Sequence, residues 1–257
     1  MLVRIISALV ALPLLLFVLL KGGIYLEVSV ALISIIGLWE FYQALAKKYK
    51  PVKSLGLLMI PILHLTYRSE NYELLQATFV IYVIILLMAY VFSKKMRIED
   101  VALSVLGVVY VGFFLYHVIL FTHLDHAFYM GYIFLVSWGA DTGAYFVGKS
   151  IGKRKLSPVI SPNKSLEGAI GGCLTAVILS VSWSWYFDST MIFPSILIAL
   201  VGSFTSIMGD LTASKIKREI DLKDYGKIMP GHGGIMDRFD SLILVTPLVY
   251  YIILAFV

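Results

Sequence analysis

Charged residues are scarce in this chain of 257 residues: Asp, Glu, Lys and Arg together make up 14%, where a soluble globular domain carries about 25%. So little polar material cannot cover a globular surface of this size, which excludes a soluble domain. With 60% hydrophobic residues, the chain is not disordered either, because disorder requires low hydrophobicity. Cysteine is nearly absent. The one present, Cys173, lies inside an apolar run, so disulfides and cysteine metal sites are excluded. No cluster of histidine and cysteine suits zinc, and there is no internal repeat, low-complexity tract or linker. The chain does have a positive balance, +5, with a pI of about 9.1. In a membrane protein such residues first orient the chain, so a nucleic acid is not an expected partner.

What is present is a succession of apolar runs. A transmembrane helix needs about 20 mostly apolar residues, and nine candidates stand at roughly 2–20, 24–46, 54–67, 74–93, 101–121, 128–147, 168–187, 192–213 and 241–257. The third is short and carries Pro61, so a re-entrant segment is its alternative. Charge placement argues for a full crossing. If nine helices alternate from a cytoplasmic N-terminus, every one of the 21 lysines and arginines except Lys21 and Arg68 falls on the inner side, as the positive-inside rule requires. Arg4 before an apolar stretch is also a signal-peptide feature, but the run is long and no A-x-A-like site closes it. The expected fold is an all-α polytopic membrane protein with about nine transmembrane helices, a cytoplasmic N-terminus and polar catalytic loops on the cytoplasmic face. Residues 1–125 form an N-terminal helical region of about five helices, and residues 126–257 a C-terminal catalytic region with its motif at 214–241.

The two longest polar stretches, Gly148 to Gly168 and Ser214 to Asp240, both lie on the predicted inner face. Beside them, Asp141 in SWGADTGAYF and Asp210 in SIMGDLTASK are ionisable residues within membrane segments, which points to function. Glu27 and Glu40 sit nearer helix ends, where outward reach or helix pairing explains them equally well. On a helix continuing from the eighth segment, Asp210, Ser214, Lys217 and Arg218 share one stripe. Asp237 and Asp240, three residues apart, share a face with Arg238 beside them. Carboxylates from two helices suit Mg²⁺ when phosphate oxygens and water complete its shell. A solvated helix start, with acids near the positive end of the macrodipole, is the competing account of Asp237 and Asp240. Gly231, Gly233 and Gly234 around His232 allow positive φ and close backbone approach, so their amides are candidates to cradle a phosphate. In the other loop, Ser161 followed by Pro162 predicts an N-cap and first helical residue. The helix N-terminus would then make an anion site with Lys164 and Ser165. Gly168, Gly171 and Gly172 predict tight helix packing, and a capped helix in a basic loop remains the plainer account of this segment.

These segments carry a resemblance. SKIKREIDLKDYGKIMPGHGGIMDRFDS is similar to the signature of phosphatidate cytidylyltransferases, or CDP-diacylglycerol synthases, of the form SxxKR, KD, then PGHGGxxDRxDS. Ser214, Lys217, Arg218, Lys223, Asp224, Pro230, His232, Gly233, Gly234, Asp237, Arg238, Asp240 and Ser241 all match it. SPNKSLEGAIGG resembles the family's SPxKTxEGxxGG, with Ser165 where threonine is usual, which keeps the hydroxyl. WGADTGAYFVGKSIGK resembles the segment before it, so the likeness covers the chain from about residue 136, whereas the N-terminal half resembles the family only in being apolar helices.

The resemblance implies that CTP and phosphatidic acid react to give CDP-diacylglycerol and pyrophosphate, with Mg²⁺ or a pair of cations, at the inner face of a bacterial cell membrane. The residue inventory suits that chemistry, since a lipid phosphate is already ionised near neutral pH and needs no general base, and positioning with charge neutralisation does the rest. Asp210, Asp237 and Asp240 are assigned to the metal, with Asp141 as a further ligand or a group behind it. Lys164, Ser214, Lys217, Arg218, Lys223 and Arg238 are assigned to phosphate or headgroup, with Asp224 part of the catalytic motif. Ser161, Ser165, Gly233 and Gly234 are assigned to substrate, and His232 either orients pyrophosphate or shapes the loop. The expected partners are CTP, phosphatidic acid and the bilayer, with a homodimer left open. A polyprenol kinase, a CDP-archaeol synthase or a transporter remain as alternatives.

Overall fold

A computed structural model describes residues 2–257 apart from Glu70, Asp125, Pro230 and His232. Its helices follow the apolar runs closely. They are α1 (Leu2–Lys21), α2 (Gly23–Leu45), α3 (Lys53–Arg68), α4 (Tyr72–Phe92), α5 (Ile98–Gly107), α6 (Phe114–Leu120), α7 (Gly131–Ile151), α8 (Leu166–Phe187), α9 (Ile192–Glu219) and α10 (Met236–Leu254). α5 passes into α6 through a π-helical stretch, Val108–Phe113, so the expected fifth run is one rod with a wider turn inside it. α3 continues through Pro61 without a break in its assignment.

Among the described residues, five helical stretches are long and apolar enough to cross a membrane: Gly23–Leu45, Glu73–Phe92, Ile98–His123, Leu166–Phe187 and Ser189–Glu219. Leu12–Lys21 and Lys53–Thr66 are apolar but shorter. α7 interrupts its apolar run with Ser137, Asp141 and Thr142, and α10 opens with Asp237, Arg238 and Asp240. Large apolar side chains point outward in a way no soluble surface tolerates: Phe92 is 83% exposed, Phe193 73% and Ile178 65%. Exposure of that kind, recurring on α4, α8 and α9, marks contact with lipid. The chain is an all-α, multi-pass membrane protein.

The chain divides into two compact units, Met1–Ile119 with Ile220–Arg238, and Leu120–Glu219 with Phe239–Val257. In the first, Leu38, Phe41 and Tyr42 of α2 are fully buried, as are Leu86 of α4 and Val108 and Val111 of the π-helical stretch. The Tyr42 hydroxyl donates to the Ser104 carbonyl at 2.5 Å, and Tyr82 donates to the same oxygen at 3.0 Å. Gly56 and Gly107 leave the room that the Tyr42 ring fills.

In the second unit, α7 and α8 run nearly backbone to backbone. A Cβ on Gly172 would stand 2.5 Å from the Ala140 carbonyl oxygen, and one on Gly168 2.8 Å from that of Ala144. Small residues permit such contact where lipid provides no hydrophobic drive. α8 does not begin at Ser161. Residues Ser161–Ser165 form a strand, β2, paired antiparallel with β1 (Lys155–Ser157). The expected cap is therefore displaced to Ser165, whose hydroxyl accepts from the Gly168 amide at 3.1 Å. The reason is competition for the backbone: Leu166 N–H pairs with the Arg154 carbonyl at 2.8 Å, and Glu167 accepts the amides of Lys153 and Arg154 at 3.0 and 3.1 Å. With the pairing of Ser165 to Lys155 and of Ser161 to Ser157, they keep 161–165 in the hairpin.

Candidate active site

The second unit gathers charged side chains from four elements. Asp141 comes from α7, Lys164 from β2, Asp210 and Lys217 from α9, and Asp240 and Ser241 from α10. Lys164 Nζ lies 2.5 Å from Asp210 Oδ2, with both side chains about three-quarters covered. Ser241 Oγ donates to Asp141 Oδ2 at 3.3 Å, and the Ser241 amide donates to Asp240 Oδ1 at 2.9 Å. Asp240 is buried and lies in the fields of Asp210, Lys217 and Asp141, while Asp141 is in those of Lys164 and Asp210.

The approach of α9 to α10 depends on Gly209, where a Cβ would stand 2.7 Å from the Asp240 carbonyl oxygen. Three carboxylates, Asp141, Asp210 and Asp240, thus face two ammonium groups, Lys164 and Lys217. Carboxylates gathered in a partly buried place repel one another, and a bound cation would relieve that repulsion. Among the described residues, no three His, Cys, Asp or Glu side chains are grouped closely enough to hold a metal by themselves. The set fits an ion that takes its remaining ligands from phosphate oxygens and water, as Mg²⁺ does.

The other expected residues around this centre differ in exposure. Ser214 and Ser161 are half-buried, Arg218 is exposed, and Ser165 is buried and committed to the start of α8.

The glycine-rich segment belongs to the first unit. Asp237, buried at the start of α10, turns back into the preceding loop: its Oδ2 accepts the Tyr225 amide at 2.8 Å, the Gly234 amide at 3.0 Å and the Gly226 amide at 3.5 Å. Met229 N–H donates to the Gly233 carbonyl at 2.8 Å, and Gly231 and Gly233 take φ of +76° and +87°, which few other residues adopt. Asp237 and Asp240 therefore share a helix but serve different partners. The Gly234 amide, expected to meet phosphate, is given to Asp237. Lys223, Asp224 and Arg238 are exposed. Pro230 and His232 lie outside the described residues, and with them the expected role of the histidine.

Gly209 carries no signal in the sequence, being a plain glycine in an apolar run, and for Glu40 outward reach and helix pairing stand beside a functional role. Glu40 is wholly buried, and its Oε2 accepts from the amide of Met236, the first residue of α10, at 2.9 Å. The available signal was an acid inside a membrane segment.

A multi-pass helical membrane protein with a carboxylate and lysine centre at its polar loops is the class that these observations define. The cytidylyltransferase family matches residues 2–256, and the chain belongs to that family. It is 34% identical over 266 residues to a phosphatidate cytidylyltransferase of Bacillus subtilis, covering 98% of this chain and 97% of the relative. It is also 36% identical over 256 residues to one of Staphylococcus aureus, with 96% of each chain covered. A third, from Staphylococcus epidermidis, is 36% identical over 252 residues, again with 96% of each covered.

Proposed function

We propose that this protein transfers the cytidylyl group of CTP to phosphatidic acid, giving CDP-diacylglycerol and pyrophosphate for phospholipid synthesis. It is a nucleotidyltransferase, and its membership of the cytidylyltransferase family over nearly the whole chain carries that reading. An oxygen of the lipid phosphate attacks the α-phosphorus of CTP. One P–O bond forms, the bond between that phosphorus and the oxygen bridging to the β-phosphate breaks, and the electron pair leaves with pyrophosphate. The attacking oxygen is ionised near neutral pH, so no side chain has to take its proton.

The centre of Asp141, Asp210 and Asp240 is assigned to Mg²⁺, which supplies neutralisation of the triphosphate charge when bound. Lys164, paired with Asp210, and Lys217, in the field of Asp240, are assigned to the phosphates, with Ser214, Arg218, Lys223 and Arg238 as further headgroup contacts. Asp237 is assigned to the loop, on the strength of its bonds to the Tyr225 and Gly234 amides.

The chain is read as nine crossings with its polar loops in the cytoplasm. Supporting this, Lys48 Nζ lies 3.2 Å from Asp221 Oδ2, which joins the loop after α2 to the loop after α9, two segments that the charge pattern assigns to one face. Incubation of the purified protein in detergent with labelled CTP, phosphatidic acid and Mg²⁺ tests the activity. CDP-lipid and pyrophosphate are the expected products. Formation of CDP with a phosphorylated lipid would replace this reading by a kinase.

A further inference from the structure

The glycines of the signature loop fall into two groups. Gly231 and Gly233 have positive φ, so backbone conformation explains them. Gly226 and Gly234 have none, and what excludes a side chain there is Glu40: a Cβ at either position would collide with the Glu40 carboxylate. Glu40 comes from α2, is wholly buried, and holds the Met236 amide through Oε2. The Asp237 carboxylate holds the Tyr225, Gly226 and Gly234 amides of the same loop. Around them, the Phe41 and Tyr225 rings pack at 6.0 Å, and the Val111 and Ile235 side chains close on Gly37.

We infer that Glu40 is a positioning residue for the transfer reaction, clamping the loop from Tyr225 to Met236 and setting the first turn of α10. The inference rests on the cytidylyl-transfer reading above. Glu40 acts through the Met236 amide. A helix has unsatisfied amides in its first turn, and an acceptor built into another helix fixes where that turn begins. One turn further on, α10 carries Asp240. A small misplacement of a group that aligns reactants is enough to cost rate rather than affinity. Glu40 therefore acts on kcat, and the property it needs is an acceptor oxygen in that place rather than a charge.

The test compares Glu40→Gln and Glu40→Ala with the wild-type protein in detergent, measuring kcat, KM for CTP, thermal unfolding and amide hydrogen exchange. Gln keeps an oxygen for the Met236 amide, so E40Q should stay within about threefold of wild-type kcat, whereas E40A should fall at least about tenfold with KM for CTP little changed. Exchange over residues 225–236 should quicken in E40A while that of α8 stays as it is. Gly226→Ala should reproduce the loss by crowding Glu40, and its effect should shrink in the E40A background, because the two changes act on one contact. Wild-type kcat in E40A would overturn the proposal. So would equal loss in E40Q and E40A, or additive losses in the double variant, or exchange that rises throughout the protein. If the wild-type protein made no CDP-lipid, the functional reading would fail, and the exchange comparison would still decide whether Glu40 clamps the loop.

Discussion

Asp237 and Asp240 stand one turn apart on α10, but one carboxylate gathers loop amides and the other lies among Asp141, Asp210 and Lys217. Asparagine separates the roles, since it keeps an acceptor oxygen and removes the charge. Asp240→Asn is expected to lower kcat/KM at least about a hundredfold, roughly 2.7 kcal/mol of barrier, while the protein still unfolds at the wild-type temperature. Asp237→Asn can still accept from Tyr225 and Gly234 and should lose less than about tenfold. CTP-dependent product formation in the two variants, with thermal unfolding in the same detergent, checks both. Equal losses would place Asp237 with the cation. Lys164 offers a complementary check, because Lys164→Ala leaves the partly covered Asp210 without its ion pair. Losing the proposed phosphate contact and unbalancing the carboxylates together should lower activity by more than about tenfold.

At the scale of elements, the centre depends on how closely helices approach, and glycine sets that distance. Gly209→Ala places a methyl 2.7 Å from the Asp240 carbonyl, and the obstacle is backbone, which cannot swing aside. The variant should lose about 1–3 kcal/mol of stability through overpacking and lose activity beyond what the fraction unfolded explains. A thermal scan and a rate measured well below the transition distinguish the two contributions. Gly172→Val at the α7–α8 contact has a backbone oxygen in its way too, that of Ala140, 2.5 Å from an added Cβ and one residue before Asp141. It should lower both the unfolding temperature and kcat in the folded fraction.

For the whole molecule, the predictions concern orientation and the ion. A cysteine replacing Lys48, whose side chain is 47% exposed, should react with an impermeant thiol reagent in inverted vesicles and not in intact cells, and the reverse pattern would overturn the topology. Chelation with EDTA should abolish turnover, and added Mg²⁺ should restore it, because clustered carboxylates repel a triphosphate unless a cation stands between them. Turnover persisting in excess EDTA would remove the metal assignment altogether.

The sequence by itself determined the membrane class, the positions of the apolar helices and the signature of the family. Each of these is a local property: a run of apolar residues closes its own backbone hydrogen bonds as a helix in lipid, whatever surrounds it, and a motif such as PGHGGIMDRFDS is readable without knowing its neighbours. Tertiary structure decided which oxygens meet which donors. The strand at Ser161–Ser165 displaced an expected cap because it pairs with Lys155–Ser157 and the Arg154 carbonyl, across that hairpin, claims the Leu166 amide. The partners of Asp237 and Asp240 diverge because neighbouring positions on a helix project to different surroundings. Glu40 reaches Met236 across 196 residues, a pairing that no periodicity reveals, since periodicity encodes which face of a helix is buried and carries no information about what lies against it.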